Sequence, residues 1–196
     1  YWSVNGNNNP TNNKLGITNT SNQTNLEFVT RNKTRMIIDT DGRAIFKFMD
    51  TDNVFLGENS GSSGLNGGRN IYIQTNNTSP YQNGGHDNIA IGKNSGINIA
   101  GGLNNITIGE EAGGNITNGV YNIHLGTWSG VGSDQYDGFN TFIGAFVGNN
   151  VSGENNIFLG TESGSQSTNG HNIAIGAKAG KGSGVSDGNK LHIHSS

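Results

Sequence analysis

The stretch "DNIAIGKNSG", residues 87–96, decides the reading of this chain. It returns as "NNITIGEEAG" at 104–113, "YNIHLGTWSG" at 121–130, "FNTFIGAFVG" at 139–148, "NNIFLGTESG" at 155–164 and "HNIAIGAKAG" at 171–180. Aligned on its leading Asn, the phrase starts at Asn53, Asn70, Asn88, Asn105, Asn122, Asn140, Asn156, Asn172 and Asn189, in steps of 16 to 18 residues. So short a unit cannot bury an apolar face alone. Stacked copies share one core, which is the architecture of a solenoid.

Inside the phrase, two aliphatics flank one residue: Ile89/Ile91, Ile106/Ile108, Ile123/Leu125, Ile157/Leu159 and Ile173/Ile175. Side chains two apart on a strand share a face. Gly92, Gly109, Gly126, Gly144, Gly160 and Gly176 follow where the chain must turn. Three places later stand Ser95, Ala112, Ser129, Val147, Ser163 and Ala179, read as inward residues of a second, tighter strand, each before another Gly. Glycines every few residues and no 3.6-residue period exclude helix. The pattern predicts an all-β fold: a parallel β-solenoid, or β-roll, of about nine coils of ~17 residues. The aliphatic pairs are expected to fill one side of a thin core and the small residues the other. The leading Asn either forms an amide ladder along the coils or only favours the turn before the strand.

The middle residue of each strand then faces away from the coil. It reads Phe55, Tyr72, Ala90, Thr107, His124, Phe142, Phe158 and Ala174: four aromatics and no charge, in a chain that is 8% aromatic. A coil with two buried aliphatics recovers little of the entropy lost on ordering it. Burial against another subunit supplies the remainder. Phe55, Tyr72, His124, Phe142 and Phe158 are therefore expected at the interface of a homotrimer around a threefold axis.

Three segments follow. Residues 1–50 read as an entry module that caps the solenoid. "NLEFVTRN" alternates Leu26 and Phe28 inward, and "RMIIDTDGRAIF" places Asp41-Gly42 between two alternating strands, a hairpin signal. Residues 51–188 are the repeats. The second, "NIYIQTNNTSPYQNGGHD", lacks both glycines and holds Pro80, so a distorted coil with a protruding loop is expected. Residues 189–196 shift the apolar pair to Leu191/Ile193 and read as a following fibre module or a C-terminal cap. A chain opening on Tyr1-Trp2 reads as a processed product or a fragment.

Composition narrows the function. The chain has 196 residues, with 33 Gly, 33 Asn, 31% hydrophobic and 13% charged residues. The regular placement of its apolar residues argues against disorder. A net charge of −3 gives no footprint for nucleic acid, and no apolar run reaches the length of a membrane span, so neither nucleic acid nor membrane insertion is expected. There is no Cys, no G-x-S-x-G, no P-loop, no HExxH and no calcium nonapeptide. No catalytic activity and no resident cofactor are expected.

Recognition would sit on loops. The two longest hold Tyr81 and His86, and Trp128, Asp134, Tyr136 and Asp137. An aromatic platform beside carboxylates and amides suits a sugar, whose CH face stacks while its hydroxyls hydrogen-bond. His192 and His194 form an H-x-H pair. Three copies around an axis would offer six imidazoles to an octahedral metal.

The strings "NIAIGKNSG" and "NIAIGAKAG" resemble the head repeats of YadA-like trimeric autotransporter adhesins, with longer loops here. They are also similar to repeats of fibre proteins of Bacteroidetes and their phages. The N-terminal stretch is similar to the entry module of that second group at Trp2, Leu15-Gly16, Leu26, Phe28, Arg35-Met36 and Asp41-Gly42, and "GNKLHIHSS" to the segment after its repeats. The resemblance implies an extracellular, non-enzymatic, trimeric fibre segment on a cell, virion or injection particle. It would attach to a host or other surface through a glycan or another receptor. The alternative is a purely structural fibre shaft without its own ligand.

Overall fold

The computed structural model describes residues 26–30, 33–38, 44–46, 53–57, 60, 67–74, 85–132, 138–182 and 188–194. The chain divides into two compact units, 1–48 and 49–196. In the first, β1 (Leu26–Thr30), β2 (Lys33–Ile38) and β3 (Ala44–Phe46) form an antiparallel meander in the order β1-β2-β3. The expected hairpin is present as the β2–β3 pair, closed by Ile38 opposite Ala44. Its turn, Asp39–Gly42, lies outside the described residues. Phe28, expected inward, is 39% exposed.

The second unit is a β-solenoid. Nine three-residue strands make one parallel sheet: β4 (Val54–Leu56), β5 (Ile71–Ile73), β6 (Ile89–Ile91), β7 (Ile106–Ile108), β8 (Ile123–Leu125), β9 (Thr141–Ile143), β10 (Ile157–Leu159), β11 (Ile173–Ile175) and β12 (Leu191–Ile193). They lie in chain order from β4 to β12. The winding makes about seven turns, fewer than the nine coils expected from counting the phrase. Each strand pairs in register with the next, Ile89 with Ile106 and Ile91 with Ile108 for example. Backbone bonds carry the ladder past the strand ends: Ile89 N donates to Asn105 O at 2.8 Å, and Gly109 N to Ile91 O at 2.8 Å.

The leading asparagines form the amide ladder. Asn88 Oδ1 accepts from Asn105 N at 2.9 Å and from Asn105 Nδ2 at 3.0 Å; Asn105 Nδ2 also donates to Gly119 O at 2.8 Å. The backbone link recurs from Asn53 through Asn172. At the last step Lys190, not Asn189, donates its backbone N–H to Asn172 Oδ1. The register of that unit is therefore shifted by one, as its apolar pair indicates.

The ladder fixes which face is inside, and it corrects the expected polarity of the strands. Asn88 and Ala90 are both buried while Ile89 and Ile91 are only half-covered. Alternation along a strand puts the residue two after a buried Asn inside with it. The middle column thus fills the coil: Tyr72, Phe142 and Phe158 are no more than 1% exposed, as is His124. Rings stack along it, Phe55 on Tyr72 at 5.7 Å, His124 on Phe142 at 4.8 Å and Phe142 on Phe158 at 5.1 Å between centroids.

The small residues after the glycines are inward as expected, but they sit in turns rather than in a second strand. A third inward position completes the core with Ile99, Ile116, Val151 and Ser167. Sizes compensate within three of the coils, whereas the coil of Phe142 packs it with Val147 and Val151. Ala90 and Ser95 sit with Ile99, Thr107 and Ala112 with Ile116, and Phe158 and Ser163 with Ser167. The glycine after the turn makes room for the middle side chain: a Cβ on Gly148 would stand 2.5 Å from Phe142 Cδ2. The second repeat departs as expected at one point. Gln74 replaces the strand-ending Gly, is buried, and donates from Nε2 to Ser95 O.

Candidate functional site

The sites follow from what the strands turn outward. Positions one and three of every strand present Val54/Leu56, Ile71/Ile73, Ile89/Ile91, Ile106/Ile108, Ile123/Leu125, Thr141/Ile143, Ile157/Leu159, Ile173/Ile175 and Leu191/Ile193. One face of a nine-stranded parallel sheet is therefore aliphatic except for Thr141, and it carries no charge. Ile143 and Ile157 are each 41% exposed and Ile193 72%. Contiguous apolar area of that kind marks an interaction surface. Parallel sheets are ordinarily covered on both faces.

This corrects the residues expected to face a partner. Tyr72, His124, Phe142 and Phe158 are enclosed by their own chain, and Phe55, half-buried, stacks on Tyr72 in the same column. None of the four enclosed side chains presents a surface to a partner. The aliphatic pairs are the side chains of the strands left open to solvent.

Two further columns flank the strands, and both hold residues in the left-handed backbone region. Just before the leading Asn stand Arg69, Asp87, Asn104, Tyr121, Phe139, Asn155 and His171; in the turn after the strand stand Asn94, Glu111, Trp128, Phe146, Glu162 and Lys178, all with φ between 54° and 64°. Asn and Asp tolerate that conformation, whereas a bulky side chain pays ~1 kcal/mol for it. Tyr121 and Phe139 nevertheless occupy it and stack at 5.1 Å, each about half exposed. Trp128 and Phe146 form the second pair, 6.2 Å apart and tilted by 32°.

Charges pair between adjacent coils. Arg69 Nε and Nη2 donate to the two oxygens of Asp87 at 2.6 and 2.7 Å. Lys93 Nζ donates to Glu110 at 2.9 Å, and Lys181 pairs with Glu162. The hydrogen bond from Arg69 holds the Asp87 carboxyl below its usual range, that from Lys181 does the same for Glu162, and Glu110 raises Lys93.

Of the loop residues expected to recognise a ligand, Trp128 is on the turn edge and 38% exposed. His86 is half-buried, pairs its backbone with Leu103, and accepts at Nδ1 from Gly68 N at 3.0 Å, so that nitrogen is committed to the fold. Tyr81, Asp134, Tyr136 and Asp137 lie outside the described residues. The two members of the expected His192/His194 pair have different surroundings. His192 continues the inward column with its Nε2 enclosed, while His194 is exposed past the strand end. Among the described residues no three His, Cys, Asp or Glu side chains gather as a metal site, and no helix is long and apolar enough to cross a membrane.

Sequence reasoning missed the aliphatic face as a surface, the Tyr121–Phe139 pair on one flanking column and Phe146 beside Trp128 on the other. The signal for these rings was present: bulky residues at turn positions that other repeats fill with Asn, Glu or Lys. By fold the chain is a parallel β-solenoid repeat protein. Comparison with family models, with curated proteins and with solved structures finds no match.

Proposed function

We propose that this chain is a non-enzymatic segment of an extracellular homotrimeric fibre that attaches its carrier to a host or other surface. The observation that carries the reading is the uncharged Ile/Leu face running the length of the nine-stranded sheet. The occupant that fits it is a sister copy. Every chain repeats the same aliphatic pair at the same ~4.8 Å coil spacing, so ridges of one copy find equal ridges on another along the whole sheet. The likeness of the phrase to YadA-like and fibre-protein repeats supports three copies and an attachment role. The meander at the N-terminal end is the entry and capping module in this reading. Three copies of each exposed turn then act together, and weak contacts add as avidity.

Mass in solution tests it. Light scattering of the full chain is expected to give three times 20.5 kDa. Ile143→Glu with Ile175→Glu, both on the exposed face, is expected to give a folded single chain with unchanged far-UV circular dichroism. A wild-type monomer, or a trimer indifferent to both charges, refutes the assembly. Adhesion of the trimer but not the variant to cells or glycan-coated surfaces tests attachment. A trimer that adheres to nothing is a shaft.

A further inference from the structure

We propose that the cleft beside Phe146 is a binding site for a neutral oligosaccharide. Its volume is about 310 Å³, and Phe146, Asn150, Glu162, Ser165, Gln166 and Lys181 line it. That volume lies at the small end of ligand pockets and matches a sugar unit rather than a folded partner.

The walls divide into the two kinds of surface a sugar presents. Phe146 supplies the apolar one. It is 45% exposed and its backbone is left-handed, φ 54°. Equivalent turns carry Asn94, Glu111, Glu162 and Lys178, so the fold itself does not require an aromatic there. An aromatic held at conformational cost and left open to water fits a surface that meets another CH-rich face. Ser165, nearly buried, donates from Oγ to Phe146 O at 3.0 Å and ties the floor of the cleft to this wall.

The polar wall supplies paired donors and acceptors. Asn150 and Gln166 are exposed amides on adjacent coils. Gln166 N bonds Asn149 O at 2.8 Å and Asn150 N bonds Val131 O at 2.9 Å, so both backbones are fixed by neighbouring coils. Amides donate and accept at once, as vicinal hydroxyls require. Glu162 and Lys181 neutralise each other, so the cleft offers no net charge to an anionic ligand. A neutral sugar therefore fits better than a sulfated or phosphorylated one.

Trp128 extends the aromatic wall by one coil, its ring 6.2 Å from that of Phe146. Coils are ~4.8 Å apart, comparable with the length of one hexose. Consecutive rings suit consecutive sugar units running along the coils. The site deepens the attachment reading by naming the ligand class, and it uses only residues of one chain.

Trp2 and Trp128 are the two tryptophans, so Trp2→Phe leaves Trp128 as sole reporter. In that background, Trp128 emission is followed while cellotetraose, maltotetraose, chitotetraose and a heparin tetrasaccharide are titrated, beside an array of neutral glycans. At least one neutral glycan is expected to bind, shifting the emission. Phe146→Ala and Gln166→Ala should each weaken it roughly tenfold, the loss of about one good contact, with circular dichroism and mass unchanged. Binding that survives Phe146→Ala, a preference for the heparin fragment, or silence from every neutral glycan overturns the site. Mass and adhesion are scored separately, so losing the sugar site leaves the trimeric fibre to stand or fall by its own measurements.

Discussion

His124 and Phe142 lie face to face inside the solenoid, ring centroids 4.8 Å apart and 13° from parallel. The imidazole occupies a slot that the following two coils fill with phenyl rings, and neither of its nitrogens has a hydrogen-bond partner. A polar ring buried this way costs stability that an apolar ring would not.

Acid should therefore unfold the protein early. Burial lowers the His124 pKa from 6.5 to about 3. The unfolded chain takes up the proton first, so stability is full above pH 6.5 and falls below it by up to ~1.4 kcal/mol per pH unit, levelling near the folded value. Denaturant titrations between pH 7 and pH 4 measure the slope. His124→Phe should flatten it and raise stability at neutral pH, because Phe158 already fits beside Ser163 as a Phe here would beside Ser129. An unchanged slope in this variant removes His124 from the account.

Cutting one rung of the amide ladder should be costly. Asn105 Oδ1 accepts from Asn122 N at 3.0 Å and Nδ2 at 3.1 Å, while its own Nδ2 serves Asn88 and Gly119. Asn105→Ala strands several buried groups, and a loss of ~2–4 kcal/mol is expected from the usual cost of orphaned partners. Asp in the same place keeps the acceptor but loses the donor, so it should fall between. Chemical denaturation ranks the three.

Two glycines separate crowding from backbone strain. Gly160 has φ +122°, and a Cβ there would stand 2.7 Å from the carbonyl carbon of Gly176. Gly182 has φ +99° with no neighbour within 4 Å among the described residues. Gly160→Ala should cost more than ~3 kcal/mol, whereas Gly182→Ala should show only the ~1–3 kcal/mol of an unfavourable conformation. Thermal melts of the pair check it. Equal losses would mean that the coils slide apart freely.

Size compensation within a coil is testable by transplant. The trio Ala90/Ser95/Ile99 differs from Phe158/Ser163/Ser167 at two positions. Ile99→Ser alone empties a core site, at ~3 kcal/mol, and Ala90→Phe alone overfills one, at ~1–3 kcal/mol. The double variant should recover at least ~1 kcal/mol of their sum in a double-mutant cycle. Additive losses would show that the two positions do not share space.

The repeat, the strands and the parallel stack were legible because each Ile-x-Ile-Gly phrase carries its own turn and the steps are near-constant. Which face points inward was not read correctly, because a large aliphatic pair looks like a core and a mixed column of Phe, Ala, Thr and His does not. The parity was still encoded. Asn88 and Ala90 share a face, so accepting the amide ladder as buried puts Ala90, and with it His124 and Phe142, inside. Ile99 and Ile116 went unnoticed because they sit in Gly- and Asn-rich returns, outside the recurring phrase. The aromatic edge of Trp128 and Phe146 could not be read as an edge until the turn geometry placed rings of successive coils side by side.

Asn105 of the ladder links the coil before it to the coil after it, through Asn88 and Asn122. Nothing in that arrangement counts coils. A gene that gains or loses one repeat by unequal recombination thus changes only the reach of its product, provided whole units are exchanged. Organisms carrying relatives of this chain should differ in repeat number more readily than in the repeat itself, and selection for longer or shorter reach could proceed without inventing new side-chain chemistry.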